Sequence, residues 1–341
     1  VMVIEAAKTK LFWQSIFAAV IFVLAYWGIN YMSDWEGYEH FFYYPEKSRD
    51  VLYAFLSEIF KDKGYSFTDL YKFHILLISF SYICLFKSLK INPILIVLVS
   101  LAFNYVAIGN QIRYYLAFPL TLYAFLRWVK KEYIFAIILL IISVLEHKSA
   151  IILFSVLAIF RKYLYKCSFQ KQFLLILLAN VIIFFLFDYS SSFDEKYDDY
   201  KKISQISSLT GGVFNVMPYL LSIYSCVKIN NMFRKGDLEL TRSPNYIFLY
   251  TCSIAPTVFL FSGLYIQILA NRFIIAMFPI WIAFFIYSFR NSTLKKTRKT
   301  ISMMAWISMI VLMFWKFCLN PLLGIVDYFV EMYLMLSSYQ I

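Results

Sequence analysis

The chain has 341 residues; 62% are hydrophobic, only 15% are Asp, Glu, Lys or Arg, and the net charge is +12. Mean hydropathy is +0.69. So little polar surface cannot cover a water-soluble globule, which excludes a soluble enzyme and makes lipid part of the solvent. The basic excess is then a signal of membrane orientation, not of nucleic-acid binding.

The apolar residues come in repeated long runs rather than weak alternating segments. The expected fold class is therefore an all-α polytopic integral membrane protein, not a β-barrel. In chain order the candidate spans are residues 11–32, 70–86, 93–108, 114–129, 133–145, 149–160, 173–187, 213–229, 245–263, 273–289 and 301–317. That is about eleven segments in one transmembrane domain, residues 1–341. Residues 11–32 are long enough to span and lack a small-residue cleavage site, so they read as a span rather than a cleavable leader. Of the five cysteines, Cys84, Cys226 and Cys252 lie in apolar runs, and no CxxC pattern suggests zinc or a disulfide framework.

Orientation follows from the basic residues. With the N-terminus in the cytoplasm, the inner segments carry 20 of the 32 basic residues, including Arg127, Lys130 and Lys131, but only the acids Glu5, Glu132, Asp237 and Glu239. The same rule bears on residues 133–160. Reading them as one helix would send the later basic segments outside. They are better read as a short dip, with one arm rising, a turn at Glu146-His147-Lys148, and one arm descending. Arms of 13 and 12 residues reach only ~18–20 Å at ~1.5 Å per residue, against a hydrocarbon core ~30 Å thick. The turn is expected below the outer surface, in a water-accessible recess.

Three further segments stand out. The outer loop at residues 33–69 contains an amphipathic helix, with Val51, Leu52, Phe55, Leu56, Ile59 and Phe60 on one face and Asp50, Glu58, Lys61 and Asp62 on the other, suited to the headgroup layer. Residues 189–212 form a polar outer loop that includes Asp194, Asp198 and Asp199. Residues 324–341 hold a C-terminal interfacial helix with Asp327 and Glu331 on one stripe.

The ionisable residues at the outer ends of spans are the candidates for chemistry. Arg113 sits in GNQIRYYLAF, His147 in the dip, and Arg272 in ILANRFIIAMF; Asp34 and Glu36 follow the first span. Singly, each has a plain explanation, since arginines snorkel to headgroups and a turn tolerates a histidine. Together they suit a substrate with a lipid tail and a phosphorylated head. Two guanidinium groups hold a pyrophosphate through planar bidentate hydrogen bonds. A neutral imidazole or a carboxylate accepts a hydroxyl proton. No P-loop, dinucleotide-binding glycine pattern, HExxH or GxSxG is present.

The stretch IRYYLAFPLTLYAFLRWVKKEYIFAIILLIISVLEHKSAIILF, residues 112–154, resembles the signature region of EpsG-like bacterial polysaccharide polymerases, a branch of the Wzy O-antigen polymerases. Arg113, the basic turn at Lys130-Lys131 and the sequence His147-Lys148-Ser149-Ala150 carry the resemblance. DWEGYEHFF, with Asp34, Tyr38 and Phe41, and NRFIIAMFPIWIAF, with Arg272, are similar to other parts of that family. Tyr114 stands where the family has Gln, Glu146 where it often has an aromatic residue, and Arg49-Asp50 near the place of its Glu-Pro-Gly.

The resemblance implies a GT-C-like membrane glycosyltransferase in a bacterial inner membrane, N-terminus cytoplasmic, with its active site facing the periplasm. It implies transfer of a glycan from undecaprenyl pyrophosphate to the non-reducing end of a second lipid-linked repeat unit, with no cofactor, no nucleotide sugar and no required metal. Partners would be the lipid-linked donor and acceptor, the bilayer and a chain-length regulator protein. In that chemistry Arg113, Arg272 and Lys148 bind pyrophosphate. His147 takes the acceptor proton, with Asp34 or Glu146 as orienter or substitute base. Glu36, Tyr38, Tyr114 and Tyr197 are candidate sugar contacts. An O-antigen ligase, another lipid-linked-sugar glycosyltransferase, a membrane O-acyltransferase and a flippase are the competing readings.

Overall fold

A computed structural model of the protein describes residues 2–164, 169–190, 209–260, 272–319 and 328–339. Every regular element among them is helical. Among the described residues four helices, Thr9–Trp27, Phe67–Ser88, Pro93–Asn110 and Lys295–Cys318, are long and apolar enough to cross a membrane; Tyr133–Glu146, Gln170–Ile183 and Ile275–Asn291 are apolar but shorter. The other runs of the eleven fall short of that length or hydropathy within the described residues, or extend beyond them. Residues 245–263 begin as Pro244–Ile254 and continue as the 3-10 turn Ala255–Phe259. The helix Ile112–Val129 carries two arginines and three tyrosines. Much of the loop at 189–212, with Tyr197, Asp194, Asp198 and Asp199, lies outside the described residues, as do Asp327 and the end of the 245–263 run.

Two compact units are present: Val1–Phe154 with Asp327–Ile341, and Ser155–Val326. The first unit holds α1 (Met2–Trp27), α2 (Trp35–Tyr43), α3 (Val51–Asp62), α4 (Phe67–Ser88), α5 (Pro93–Asn110), α6 (Ile112–Val129), α7 (Tyr133–Glu146) and the start of α8 (Ser149–Leu164). Local signals start two of these helices. Ser66 and Asp69 form a reciprocal capping box at α4, and Asn92 accepts from Ile94 N–H ahead of Pro93 at α5.

Helix α6 is the centre of this unit. It is buried on nearly every side, with α4 and α7 as its main neighbours. Two hydroxyls pin α7 to it: Ser143 Oγ donates to the Ala117 carbonyl at 2.6 Å and lies 2.6 Å from Thr121 Oγ1. Pro119 lies two residues beyond that carbonyl, inside the helix. Membrane helices hold together by such hydrogen bonds and close packing, because lipid offers no hydrophobic gain for helix association.

The faces of α7 show which solvent the unit is built for. Its buried stripe is Ala136, Leu139, Ser143 and Glu146, at helical spacing. Its outward face is Ile134, Ile137, Ile138, Ile141, Ile142 and Leu145. Small and polar residues face in while isoleucines face out, the reverse of a helix on a water-soluble protein.

The chain breaks where the sequence placed a turn. Helix α7 ends at Glu146 and α8 begins at Ser149. The His147 ring meets Tyr114 near the start of α6, and Phe154 meets Phe125 and Trp128 near its end. After the break, α8 therefore runs back along α6.

The C-terminal helix, here Tyr328–Ser337, joins the first unit. Met335 is buried against Gly109 of α5, where a Cβ would strike its thioether end. Ser338 meets Asn30 through side chain and backbone. Val330, Tyr333, Leu334 and Leu336 point outward.

In the second unit, buried amides and aromatic hydroxyls tie the helices together. Asn180 donates to the Thr257 carbonyl at 2.9 Å in the 3-10 turn. Tyr250 donates to Gln172 at 2.8 Å, Tyr246 to Asn230 at 3.0 Å, and Trp281 Nε1 to the Ser253 carbonyl at 3.0 Å.

The α6–α7 pin yields a test. Ser143→Ala removes the donor to Ala117 and is expected to destabilise the protein by about 1 kcal/mol, read from thermal unfolding in detergent. An unchanged midpoint would show that the pin contributes nothing.

Candidate functional site

The first unit gathers its polar groups at one end of α6. Arg113 is the second residue of that helix. A cation there opposes the partial positive charge of the helix N-terminus, so the fold must supply compensation. Asp50 does this, with its carboxylate 2.8 Å from Arg113 Nη1; the two side chains are 16% and 12% exposed. Asp50 is also the N-cap residue of α3, but its side chain makes no capping hydrogen bond there. Ser48 Oγ accepts from the same Nη1 at 3.4 Å.

Three rings enclose the guanidinium. Its central carbon lies 4.7 Å from the Tyr38 ring centre, 5.1 Å from Tyr53 and 5.2 Å from Phe41. These are cation–π distances. Helices α2 and α3 supply the rings, and Tyr53 OH donates to the Tyr38 carbonyl at 2.9 Å, which ties the two helices together. Burial pushes the Tyr53 phenol far above its ordinary range, although the Arg113 charge pulls the other way. Tyr53 therefore stays neutral. Arg113 Nε is buried and has no hydrogen-bond partner among the described residues.

Beneath Tyr53 lies a histidine, with ring centres 5.5 Å apart. His74 is on α4 and fully buried. Its Nδ1 lies 2.9 Å from the Leu70 carbonyl, an acceptor only, so Nδ1 carries a proton. Its Nε2 lies 3.2 Å from Glu146 Oε1, and both side chains are 0% exposed. That contact needs one more proton, held by either partner. Glu146 Oε2 is buried without a hydrogen-bond partner among the described residues.

His147 follows directly. Its Nδ1 lies 2.7 Å from Ser149 Oγ and 3.2 Å from Ser149 N. When the backbone N–H donates, the imidazole is neutral with its proton on Nε2. When the hydroxyl accepts instead, Nδ1 holds the proton and Nε2 is the basic nitrogen. The Tyr114 ring meets His147 edge-on at 5.5 Å. The contacts thus close a circuit: Arg113 to Tyr53, Tyr53 to His74, His74 to Glu146, then His147, Tyr114 and back to Arg113 along the chain.

The other sequence candidates fall as follows. Lys148, Asp34 and Glu36 are exposed; Asp34 stands at the N-cap of α2 without capping it. Tyr38 and Tyr114 are buried, against Arg113 and His147. Arg272 belongs to the second unit, next to Phe273, whose ring stacks on Phe259 at 4.1 Å. Tyr197 lies outside the described residues. Among the described residues no group of three or more His, Cys, Asp and Glu is arranged to hold a metal ion.

Sequence reading missed Ser48, Tyr53 and His74 and placed Asp50 on a solvated helix face. For His74 a signal existed: a titratable residue inside an apolar run is a functional candidate by default. For the others no local pattern marks a contact made across helices.

A family model described as the EpsG family matches residues 11–330. No curated protein and no solved structure matches the chain.

The Arg113–Asp50 pair predicts a non-additive result. Asp50→Ala leaves an uncompensated cation and is expected to cost about 3 kcal/mol of stability. Arg113→Ala in the same chain is expected to restore much of that loss. Unfolding of the two single variants and the double variant measures the coupling; additive losses would mean that the pair is not coupled.

Proposed function

Because the chain belongs to the EpsG family, we propose that it is a membrane polysaccharide polymerase extending a lipid-linked glycan. The family implies a glycosyltransferase-like enzyme. The donor in this reading is an oligosaccharide repeat unit on undecaprenyl pyrophosphate, and the acceptor is the non-reducing end of a second lipid-linked unit. The setting is the periplasmic face of a bacterial inner membrane. The basic bias of the alternate segments supports that orientation, with Arg113, His147 and Arg272 on the outer side. The eleven-segment, GT-C-like architecture belongs to the same reading, as does a chain-length regulator as partner.

The observation that carries the reading is the treatment of Arg113: a permanent cation held in an aromatic box at a helix N-terminus, beside a turn that bears a histidine. In the reaction, an acceptor hydroxyl oxygen bonds to the anomeric carbon. The bond from that carbon to the pyrophosphate breaks, and the electron pair leaves on the phosphate oxygen. Arg113 stabilises that growing charge in a partly dry site. Arg272 is assigned a similar phosphate-binding role on the sequence ground alone. The hydroxyl proton goes to His147 Nε2 once the ring has exchanged the tautomer whose Nδ1 accepts from Ser149 N–H for the one whose Nδ1–H donates to Ser149 Oγ. Lys148, exposed in the turn, adds positive charge for the lipid pyrophosphate. Asp34 and Glu36, exposed, are left for acceptor contacts. Tyr38 and Tyr114 hold Arg113 and His147 in place. Two lipid tails on one membrane face supply proximity.

The test is the glycan ladder of cells whose own copy is deleted and replaced by variants. Arg113→Ala and Arg272→Ala are each expected to cut long-chain product by about a hundredfold or more, with single repeat units accumulating. Arg113→Lys is expected to fail as well, because an ammonium lacks the planar fork. Long chains at normal protein level would end the pyrophosphate assignment. Disappearance of even the single-unit product would point to a ligase or an earlier step.

The histidine assignment has its own test. Ser149→Ala removes the Oγ partner of Nδ1 and is expected to lower turnover about tenfold while raising KM little. Turnover of a purified lipid-linked unit reads this out, and an unchanged rate would remove Ser149 from the mechanism.

A further inference from the structure

The structure assigns His74 as a positioning residue: through Glu146 it fixes the turn that presents His147 at the end of α6. The catalytic half of this inference rests on the reading of His147 above; the structural half does not.

Glu146 is the last residue of α7. A carboxylate there faces the partial negative charge of its own helix C-terminus, and this one is also fully out of solvent. Its hydrogen-bonded side-chain partner among the described residues is His74 Nε2 at 3.2 Å. His74 cannot turn away easily, because its Nδ1 is committed to the Leu70 carbonyl one turn earlier in α4. The contact therefore joins a fixed point on α4 to the residue immediately before His147.

Stability does not explain such a pair. Replacing a buried ion pair by apolar groups of similar size is often neutral or stabilising, whereas removing one partner is costly. What the pair supplies is register. With Glu146 held, α7 stops at a defined level, and His147 enters an extended conformation at φ −156 and ψ 118. That conformation brings its Nδ1 to Ser149 and its ring edge-on to Tyr114. Without the contact, isoleucine-rich α7 keeps its lipid-facing side but loses the one polar anchor at its end; the Ser143 pin lies a turn below.

The experiment uses the full chain in lipid nanodiscs, with a lipid-pyrophosphate-linked repeat unit as substrate and amide hydrogen exchange as a second readout. The double variant His74→Leu with Glu146→Leu is expected to fold, with a melting temperature near that of the parent. Its kcat is expected to fall about tenfold or more, with KM within about threefold, because a displaced imidazole affects the transition state more than binding. Exchange across residues 145–151 is expected to rise about tenfold. Glu146→Gln donates to His74 Nε2 and keeps the hydrogen bond, so it is expected to keep both rate and exchange within about threefold of the parent.

A double variant with normal turnover and slow exchange overturns the assignment. So does a Glu146→Gln variant as slow in turnover as the double one, since the shared proton and not the position would then matter. Where the double variant does not accumulate, His74→Gln carries the test. Its amide donates to Glu146 and should keep turnover, and loss of turnover with exchange unchanged is equally fatal. A parent protein that makes no polymer refutes the proposed function instead, and leaves the exchange measurements to decide the anchor.

Discussion

Arg113 cannot lose its proton. Its side chain is only 16% exposed, and it sits where a helix dipole adds further positive charge. Everything at that end of the first unit follows from meeting this one charge. A carboxylate must come from elsewhere in the chain, and Asp50 does so from the far side of α2. Aromatic faces must replace water, and Tyr38, Phe41 and Tyr53 do so from α2 and α3. The segment between α1 and α4 therefore cannot lie loosely over the bundle. It is drawn across the start of α6, and the Tyr53-to-Tyr38 hydrogen bond and the Ser66 capping box fix its two ends.

The same constraint reaches inward. Tyr53 lies between the guanidinium and His74. Its phenol stays neutral, so it separates two charged pairs without adding a third charge. Arg113 with Asp50 is balanced, and His74 with Glu146 is balanced by the proton they share. Two neutral pairs separated by aromatic rings are far cheaper in a low-dielectric interior than four independent ions. The outward faces need no such care. On α1, Phe12, Trp13, Phe17 and Leu24 are all exposed, which lipid accepts and water does not.

How much of this the sequence revealed depends on range. The break at 147–148 was legible, because three ionisable residues cannot continue an apolar arm and the basic segments beyond it required the chain to return. The helices Pro93–Asn110 and Phe67–Ser88 were legible from hydropathy as the runs 93–108 and 70–86. Contacts made at a distance were not. Asp50 lies 63 residues from Arg113 and, within its own helix, looks like one more solvated charge. His74 lies 72 residues from Glu146 and, in LYKFHILLISF, looks like a core residue with a local partner. Half of that reading is correct, since Leu70 does take its Nδ1 proton. Within the run at residues 245–263 the sequence does not show where the helix Pro244–Ile254 gives way to the 3-10 turn Ala255–Phe259.

The charge balance sets a condition on any anion that binds here. Arg113 Nη1 already serves Asp50 and Ser48, the guanidinium also bonds the Tyr38 side chain, and Nε has no hydrogen-bond partner among the described residues. A phosphate that approached the occupied side would place a second anion against Asp50, and the repulsion would cancel much of the attraction to one guanidinium. In the proposed function the phosphate approaches along the side that Asp50 does not use, with Asp50 holding the planar fork in a fixed orientation. The carboxylate then aims the guanidinium instead of competing for it. A single aimed cation is still insufficient for a pyrophosphate, which brings more than one negative charge. The proposed function therefore calls for further positive groups, and Lys148, in the turn that follows Glu146, is the basic side chain the first unit places nearest in sequence to His147.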